Sequence, residues 1–598
     1  MIMIRRRIPL SAWLEWFPKR VRRIPGDSGT AEAPIQPSYR AHLQSIADPF
    51  PEGTYAGLTD TQKTPHQTVG FITRWPVVAL LLGVAASTIF KLVRLDAREL
   101  SLDESRSAFF ATLSFHDLIR YCLGDTAPPL YHILLWCWVR LHFISSLQAD
   151  LRIFSVLLSV LATLGMFTLA LTWLGTQKSA AFAALLFASS PILFFYSFEV
   201  RQYMLLVCCT IAVLIVHHRV AAEPRATIGV LLLYSLLAVL LFYCHYIGLF
   251  ILFGLLLDWL VATRLQKRRL AALCFVVAIV LLAAAPWAPI MVRQHDLMQG
   301  ILSNQIAGNT DPSSLSFGSS AARLSGHETA SKALRTIAVN AGFFPVRSRI
   351  FTIILAAPLV AALAGIALLM VKGDRICRML AWVFLLTGIG LFWLGMNANR
   401  YLLPLIPPLI LAITRVAQSW SKSKRWGTAG LLMASFILCI YIVGFIRQSV
   451  ASYQNPWHDM MATLQPAYRD GDVVLFDALY GQVPFDIAAR QKGLEVREDG
   501  FPETIYRWWN QQPATVWGGP VLRESDLDAT TQRVVAATKT KTVWLVLYEV
   551  DYYDPHDRLL MRFRELGNAK EVFQAAPPPS LDLPEGIGLR LVRVSLPR

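Results

Sequence analysis

The sequence is short of charge. Only 16% of its 598 residues are Asp, Glu, Lys or Arg, while 55% are apolar, and the mean hydropathy is +0.45. One soluble core cannot hide that much apolar surface, so a soluble globular protein is excluded. Acidic residues are the scarcer sign, 40 against 56 Lys and Arg, a net charge of +16. In a membrane chain such an excess marks cytoplasmic anchoring loops before it marks nucleic acid, and no nucleic-acid partner is expected. Cysteine is sparse as well. Seven of the eight (Cys137, Cys208, Cys209, Cys244, Cys274, Cys377, Cys439) lie in apolar stretches and the last 150 residues hold none, so neither a disulfide framework nor a zinc site is read here. No apolar segment of signal-peptide type follows the basic start. Residues 1–70, polar, Pro-rich and carrying Arg5-Arg6-Arg7, read as a disordered cytoplasmic tail. A repeat of fixed period is also missing, which argues against inverted-repeat transporters.

Long apolar runs are abundant. Eleven could cross roughly 30 Å of hydrocarbon as helices: 76–94, 151–174, 179–197, 203–218, 227–244, 246–263, 270–291, 350–371, 377–396, 401–418 and 427–446. A twelfth segment, Pro128 to Phe143, is short and opens with two prolines. If it crossed, the clusters Arg264/Lys267/Arg268/Arg269, Lys372/Arg375/Arg378 and Lys422/Lys424/Arg425 would all face away from the basic N-terminus. That breaks the positive-inside rule at every cluster. The expectation is therefore a non-crossing segment and eleven spans, with the N-terminus cytoplasmic and the C-terminus outside. The membrane domain then runs over 71–448, with a first outer loop at 95–150 and a second, Gly/Ser/Asn-rich one at 292–349 that could act as a lid. Residues 449–598, with strand-like runs at 472–476 and 542–548 between helical stretches, predict an extracytoplasmic α/β domain. Its aromatic residues (Trp508, Trp509, Trp517, Trp544, Tyr548, Tyr552, Tyr553) suit sugar rings, with core packing as the plainer explanation.

Polar residues at membrane depth are expensive, so where they cluster is informative. In this topology they gather on the outer side: Asp103-Glu104 and Asp125 in the first loop, Glu199 and Arg201 after the third span, His245 after the fifth, and Arg400-Tyr401 after the ninth. Singly, each has an ordinary explanation as a helix cap, a snorkelling pair or an interface anchor. Together they supply acid, base and cation on one face, as a transfer with a phosphate leaving group requires.

The ordered motifs Asp103-Glu104, Asp125 with Pro128-Pro129-Leu130, and Ser190-Pro191 followed by Glu199 and Arg201 resemble those of the GT-C glycosyltransferases. The likeness is to the dolichyl-phosphate-mannose protein mannosyltransferase-like and aminoarabinose-transferase-like group (glycosyltransferase family 39-like), over roughly residues 76–446. The resemblance implies a polytopic α-helical protein of GT-C type with about 11 to 13 transmembrane helices, whose first outer loop holds juxtamembrane helices. It implies an inverting transferase, hexosyl or pentosyl, that moves a sugar from a polyprenyl-phosphate carrier to a lipid, glycan or protein acceptor in the cell envelope. On the same footing Asp103 is the general base, Glu104 is a catalytic-site residue that positions it or the acceptor, and Arg201, Arg400 and Tyr401 bind the donor phosphate. Asp125, Glu199 and His245 are candidates for phosphate or for a divalent cation, Mg or Mn. No organic cofactor is expected, and the setting is a bacterial inner or plasma membrane with the active site outside. The sequence departs from the aminoarabinose-transferase-like members at Ala127, where they carry Lys; Arg106 is a possible replacement cation. The alternatives are a lipid-linked glycan flippase, whose polar residues should line the bilayer midplane, and a non-catalytic scaffold.

Overall fold

The computed structural model describes residues 75–598 except 96–99, 297–348, 394–398, 508–523, 576–587 and short breaks at 126, 142, 145, 223–225, 264–265, 425, 451–455, 478, 549, 551–553, 555–556 and 598. The tail expected at 1–70, the second outer loop beyond 296, and Trp508, Trp509, Trp517, Tyr552 and Tyr553 lie outside the described residues.

The apolar runs become helices: α1 (Trp75–Val93), then three short helices α2 (Leu102–Thr112), α3 (Phe115–Cys122) and α4 (Leu130–Val139), then α5 (Leu147–Leu174), α6 (Gln177–Ala188), α7 (Pro191–Tyr196), α8 (Tyr203–Ala222), α9 (Ile228–Cys244), α10 (Ile247–Thr263) and α11 (Lys267–Ala284). After the undescribed loop come α12 (Arg349–Val371), α13 (Arg375–Trp393), a 3-10 turn (Asn399–Leu405), α14 (Ile406–Ser421) and α15 (Gly427–Val450). Every expected run is met by a helix, the third by two. That run breaks at Ser190-Pro191 because proline cannot donate to the preceding turn but suits the first position of a new helix. Local signals set the ends: Ser146 caps α5 by accepting from the Ala149 N–H, and Gly175, at φ 71°, ends it in the left-handed conformation glycine tolerates. Among the described residues six helices are long and apolar enough to cross a membrane. The doubtful segment is α4. Its 10 residues span about 15 Å, half the hydrocarbon thickness, so it does not cross.

Small residues let the helices approach. A Cβ on Gly254 of α10 would lie 2.6 Å from the Val383 Cα of α13, so only glycine fits this crossing. Polar pairs are also buried among the helices. His217 of α8 and Asp258 of α10, both buried, pair at 3.1 Å, and the Tyr234 hydroxyl of α9 lies 3.2 Å from the other ring nitrogen. Lys91 of α1 is buried and donates to Ser159 of α5.

The C-terminal part holds helices α16 (Pro456–Leu464), α17 (Gln482–Lys492), α18 (Glu524–Ala537) and α19 (Arg558–Leu566), with strands β1 (Val473–Asp477), β2 (Glu498–Gly500), β3 (Thr542–Tyr548), β4 (Asn568–Gln574) and β5 (Leu589–Ser595). The sheet order is β2-β1-β3-β5-β4, with β1 parallel to β2 and β3, and β5 antiparallel to β3 and β4. Val473, Leu475, Val543 and Leu545 pack on one face with Leu559 and Phe563; Val474, Phe476, Trp544 and Tyr548 pack on the other with Trp457 and Phe485. Covering both faces is why β1 and β3 read as continuous apolar runs. Trp544 and Tyr548 are therefore core residues, each 1% exposed, and not a sugar-binding surface. This α/β domain packs on the helices of the first loop and beyond: α17 lies against α2, Tyr506 stands 5.7 Å from Phe109 of α2, and Gln491 of α17 donates to Gln148 of α5.

Candidate active site

The site is built on the N-terminus of α2. Ser101 and Glu104 form a capping box, in which the Ser101 Oγ accepts from the Glu104 N–H at 3.3 Å and the Glu104 Oε2 accepts from the Ser101 N–H at 2.8 Å. The other oxygen, Oε1, accepts from the Val200 N–H at 3.1 Å and faces Arg152 Nη2 at 3.8 Å. Glu104 is wholly buried. It ties the helix that carries Asp103 to the loop that carries Arg201, which places it behind the reacting surface.

Asp103 is 28% exposed at its side chain, far more open than its neighbours. Three guanidiniums converge on it from three parts of the chain. Arg106 Nη2 lies 3.3 Å from Oδ1, while Arg400 Nη1 from the 3-10 turn lies 3.4 Å and Arg201 Nε 4.0 Å from Oδ2. Burial alone would raise the carboxyl, but Arg201, Arg106 and Arg400 outweigh it and hold Asp103 below the usual carboxylate range. Arg201 is itself buried and its Nη1 donates to Ser107 at 3.5 Å.

His245 sits between α9 and α10. Its Nδ1 accepts from the Ile247 N–H at 3.2 Å, so the ring proton is on Nε2. Burial first, then Arg201 and Arg400, push its pKa down to about 3, so the ring is neutral at physiological pH. Tyr401 stands edge-on to this ring at 5.8 Å, with the Arg400 guanidinium 5.4 Å from its own ring. Of the residues expected from sequence, Asp103, Arg201, His245, Arg400 and Tyr401 thus come together.

The set offered for a cation does not fit one. Asp125 gives Oδ1 to Arg106 at 3.4 Å and Oδ2 to His132 at 3.2 Å, and both hold its carboxyl below the usual range against burial. His245 has spent Nδ1 on the backbone and faces two arginines, which repel a metal ion. Glu199 is buried, and its backbone carbonyl, not its carboxylate, accepts from Ser155. Among the described residues no group of three His, Cys, Asp or Glu is placed to hold a metal.

Sequence reasoning missed Ser107, His132 and Arg152. Arg152 had a signal: a charge buried in the second turn of a 28-residue apolar helix asks for a partner.

No protein-family profile and no curated protein sequence matches the chain. Solved structures do. Apo ArnT from Cupriavidus metallidurans superposes with a TM-score of 0.53 at 14% identity, covering 86% of this chain and 98% of that one. The fold is that of the GT-C glycosyltransferases. Two more matches are the same ArnT bound to undecaprenyl phosphate (TM-score 0.49, 14% identity, 87% and 98% covered) and the apo oligosaccharyltransferase of Archaeoglobus fulgidus (TM-score 0.49, 14% identity, 87% and 77% covered); the assignment of the GT-C fold rests on the apo ArnT match. The apolar helices with this fold make the chain an integral membrane protein.

Proposed function

We propose that this protein transfers a sugar from a polyprenyl-phosphate carrier to an acceptor hydroxyl on the outer face of the membrane, with inversion. The observation that carries the reading is the partly open Asp103 carboxylate at the meeting point of Arg106, Arg201 and Arg400. Those five side chains, Asp125 included, carry one net positive charge, and an anionic phosphodiester complements it. The donor phosphate takes Arg201 and Arg400, with the neutral His245 offering its Nε2–H. Asp103 then loses part of its cationic shell and becomes a stronger base.

In the transfer the acceptor oxygen attacks the anomeric carbon from the face opposite the phosphate while Asp103 accepts its proton. The bond from that carbon to the phosphate oxygen breaks and its electron pair stays on the carrier. The departing phosphate gains negative charge, which fixed guanidiniums in a water-poor site stabilise more strongly than water does. Glu104 acts by position: it holds the Asp103 helix and the Arg201 loop in register.

The test incubates purified protein in detergent with radiolabelled polyprenyl-phosphate-linked mannose, glucose and aminoarabinose plus membrane extract, and follows the label. Transfer from at least one donor is expected. No transfer from any donor, together with success in an inner-to-outer lipid flipping assay, contradicts the proposal and favours a transporter.

A further inference from the structure

Asp125 and His132 touch the site's charges but take no part in the chemistry above. Arg106 stands three residues after Asp103 on one helix face, where an Arg and a carboxylate can close into a bidentate pair. Here they do not. Arg106 Nη2 is 3.3 Å from Asp103 Oδ1 and 3.4 Å from Asp125 Oδ1, so one nitrogen serves two carboxylates. Asp125 is fixed in place: its side chain is fully buried and its Oδ2 lies 3.2 Å from Nε2 of His132 in the first turn of α4. The His132 ring is packed against Phe110 and Tyr131 at 5.1 and 5.6 Å. Its buried Nδ1 has no hydrogen-bond partner among the described residues, so the proton is on Nε2, aimed at Asp125.

We infer that Asp125, anchored by His132, is a positioning residue: it divides the Arg106 guanidinium between two carboxylates and so keeps Asp103 basic enough to take the acceptor's proton. This rests on the proposed role of Asp103 as the base. The groups facing Asp103 are Arg106 from α2, Arg201 from the loop before α8, Arg400 from the 3-10 turn and Asp125 from the α3–α4 turn, with Tyr203, His245 and Tyr401 beside the arginines. Asp125 opposes the three cations both by its own charge and by the ion pair that draws Arg106 toward it.

The test is an infrared pH titration of the purified protein saturated with undecaprenyl phosphate. The Asp103 carboxyl is identified as the C=O band missing in Asp103→Asn. In Asp125→Asn the midpoint of that band is expected to fall by about one pH unit or more. Because removing one member of a buried ion pair can unfold a protein, the same substitution is also made in Arg106→Gln, where both charges of the pair are gone. There only the direct effect of Asp125's charge remains, so the fall should be clearly smaller than in the parent background. An unmoved or raised midpoint in Asp125→Asn, or an equal fall in both backgrounds, overturns the inference. If Asp103→Asn is fully active in sugar transfer, the reading of Asp103 as the base fails instead, and if undecaprenyl phosphate does not bind, the donor reading fails and the inference with it.

Discussion

Replacing Glu104 by Gln tests whether the site is assembled by backbone contacts. The carboxylate accepts the Ser101 and Val200 N–H groups at 2.8 and 3.1 Å and faces Arg152 at 3.8 Å. A glutamine keeps one acceptor oxygen, but its amide N–H then points at the other backbone N–H, and Arg152 loses its anion. One hydrogen bond to a charged group is worth about 1.5–3 kcal/mol. If that energy holds Val200 and the adjacent Arg201 in place, its loss weakens any step needing Arg201 by about 10- to 100-fold. The assay is equilibrium binding of undecaprenyl phosphate to the purified variant in nanodiscs, after a check that it stays monodisperse. Binding within twofold of the parent would refute the idea that Glu104 sets the Arg201 loop.

Three further outcomes follow from the same geometry. His245 has its pKa depressed to about 3 from an ordinary 6.5, so the unfolded chain binds the extra proton first. Its contribution to stability is intact above about pH 6.5 and declines as the pH falls toward about 3; His245→Gln, which keeps an N–H donor, should flatten that part of the acid-stability curve, and an unchanged curve would count against the burial argument. Gly254→Ala should push α10 from α13 and destabilise the protein by roughly 1–3 kcal/mol, read as earlier loss of monodispersity on heating in detergent; a neutral effect would show that the crossing can relax. Reporter fusions near Lys178 and Lys267 should give cytoplasmic signals, and an external signal at both would overturn the proposed outer location of the site.

The membrane helices were legible because an apolar run long enough to cross has few other uses, and the 10 residues of α4 are too short to cross as a helix, in line with the charge argument. The positions of Asp103, Arg201, His245 and Arg400 were legible as a set because each follows a span. Asp125 was offered for phosphate or a cation, and the fold instead pairs it with Arg106 and His132. Its partners, Arg106 and His132, lie 19 residues before and seven after it, and nothing in linear spacing shows that the α3–α4 turn folds back onto α2. Glu104 was expected to position Asp103 or the acceptor; the fold adds how, with its two oxygens taken by the Ser101 and Val200 N–H groups. Trp544 and Tyr548 follow the plainer of the two explanations open to them, core packing, as the unbroken apolar run of β3 between two covered faces requires.

The central claim is that Asp103 takes the acceptor's proton. It is tested most directly by comparing Asp103→Asn with the parent protein for sugar transfer and for undecaprenyl phosphate binding in parallel. The account predicts transfer reduced by about 10²- to 10⁴-fold, with binding unchanged or tighter because the competing carboxylate charge is gone. A folded Asp103→Asn protein that transfers sugar at the parent's rate would contradict it.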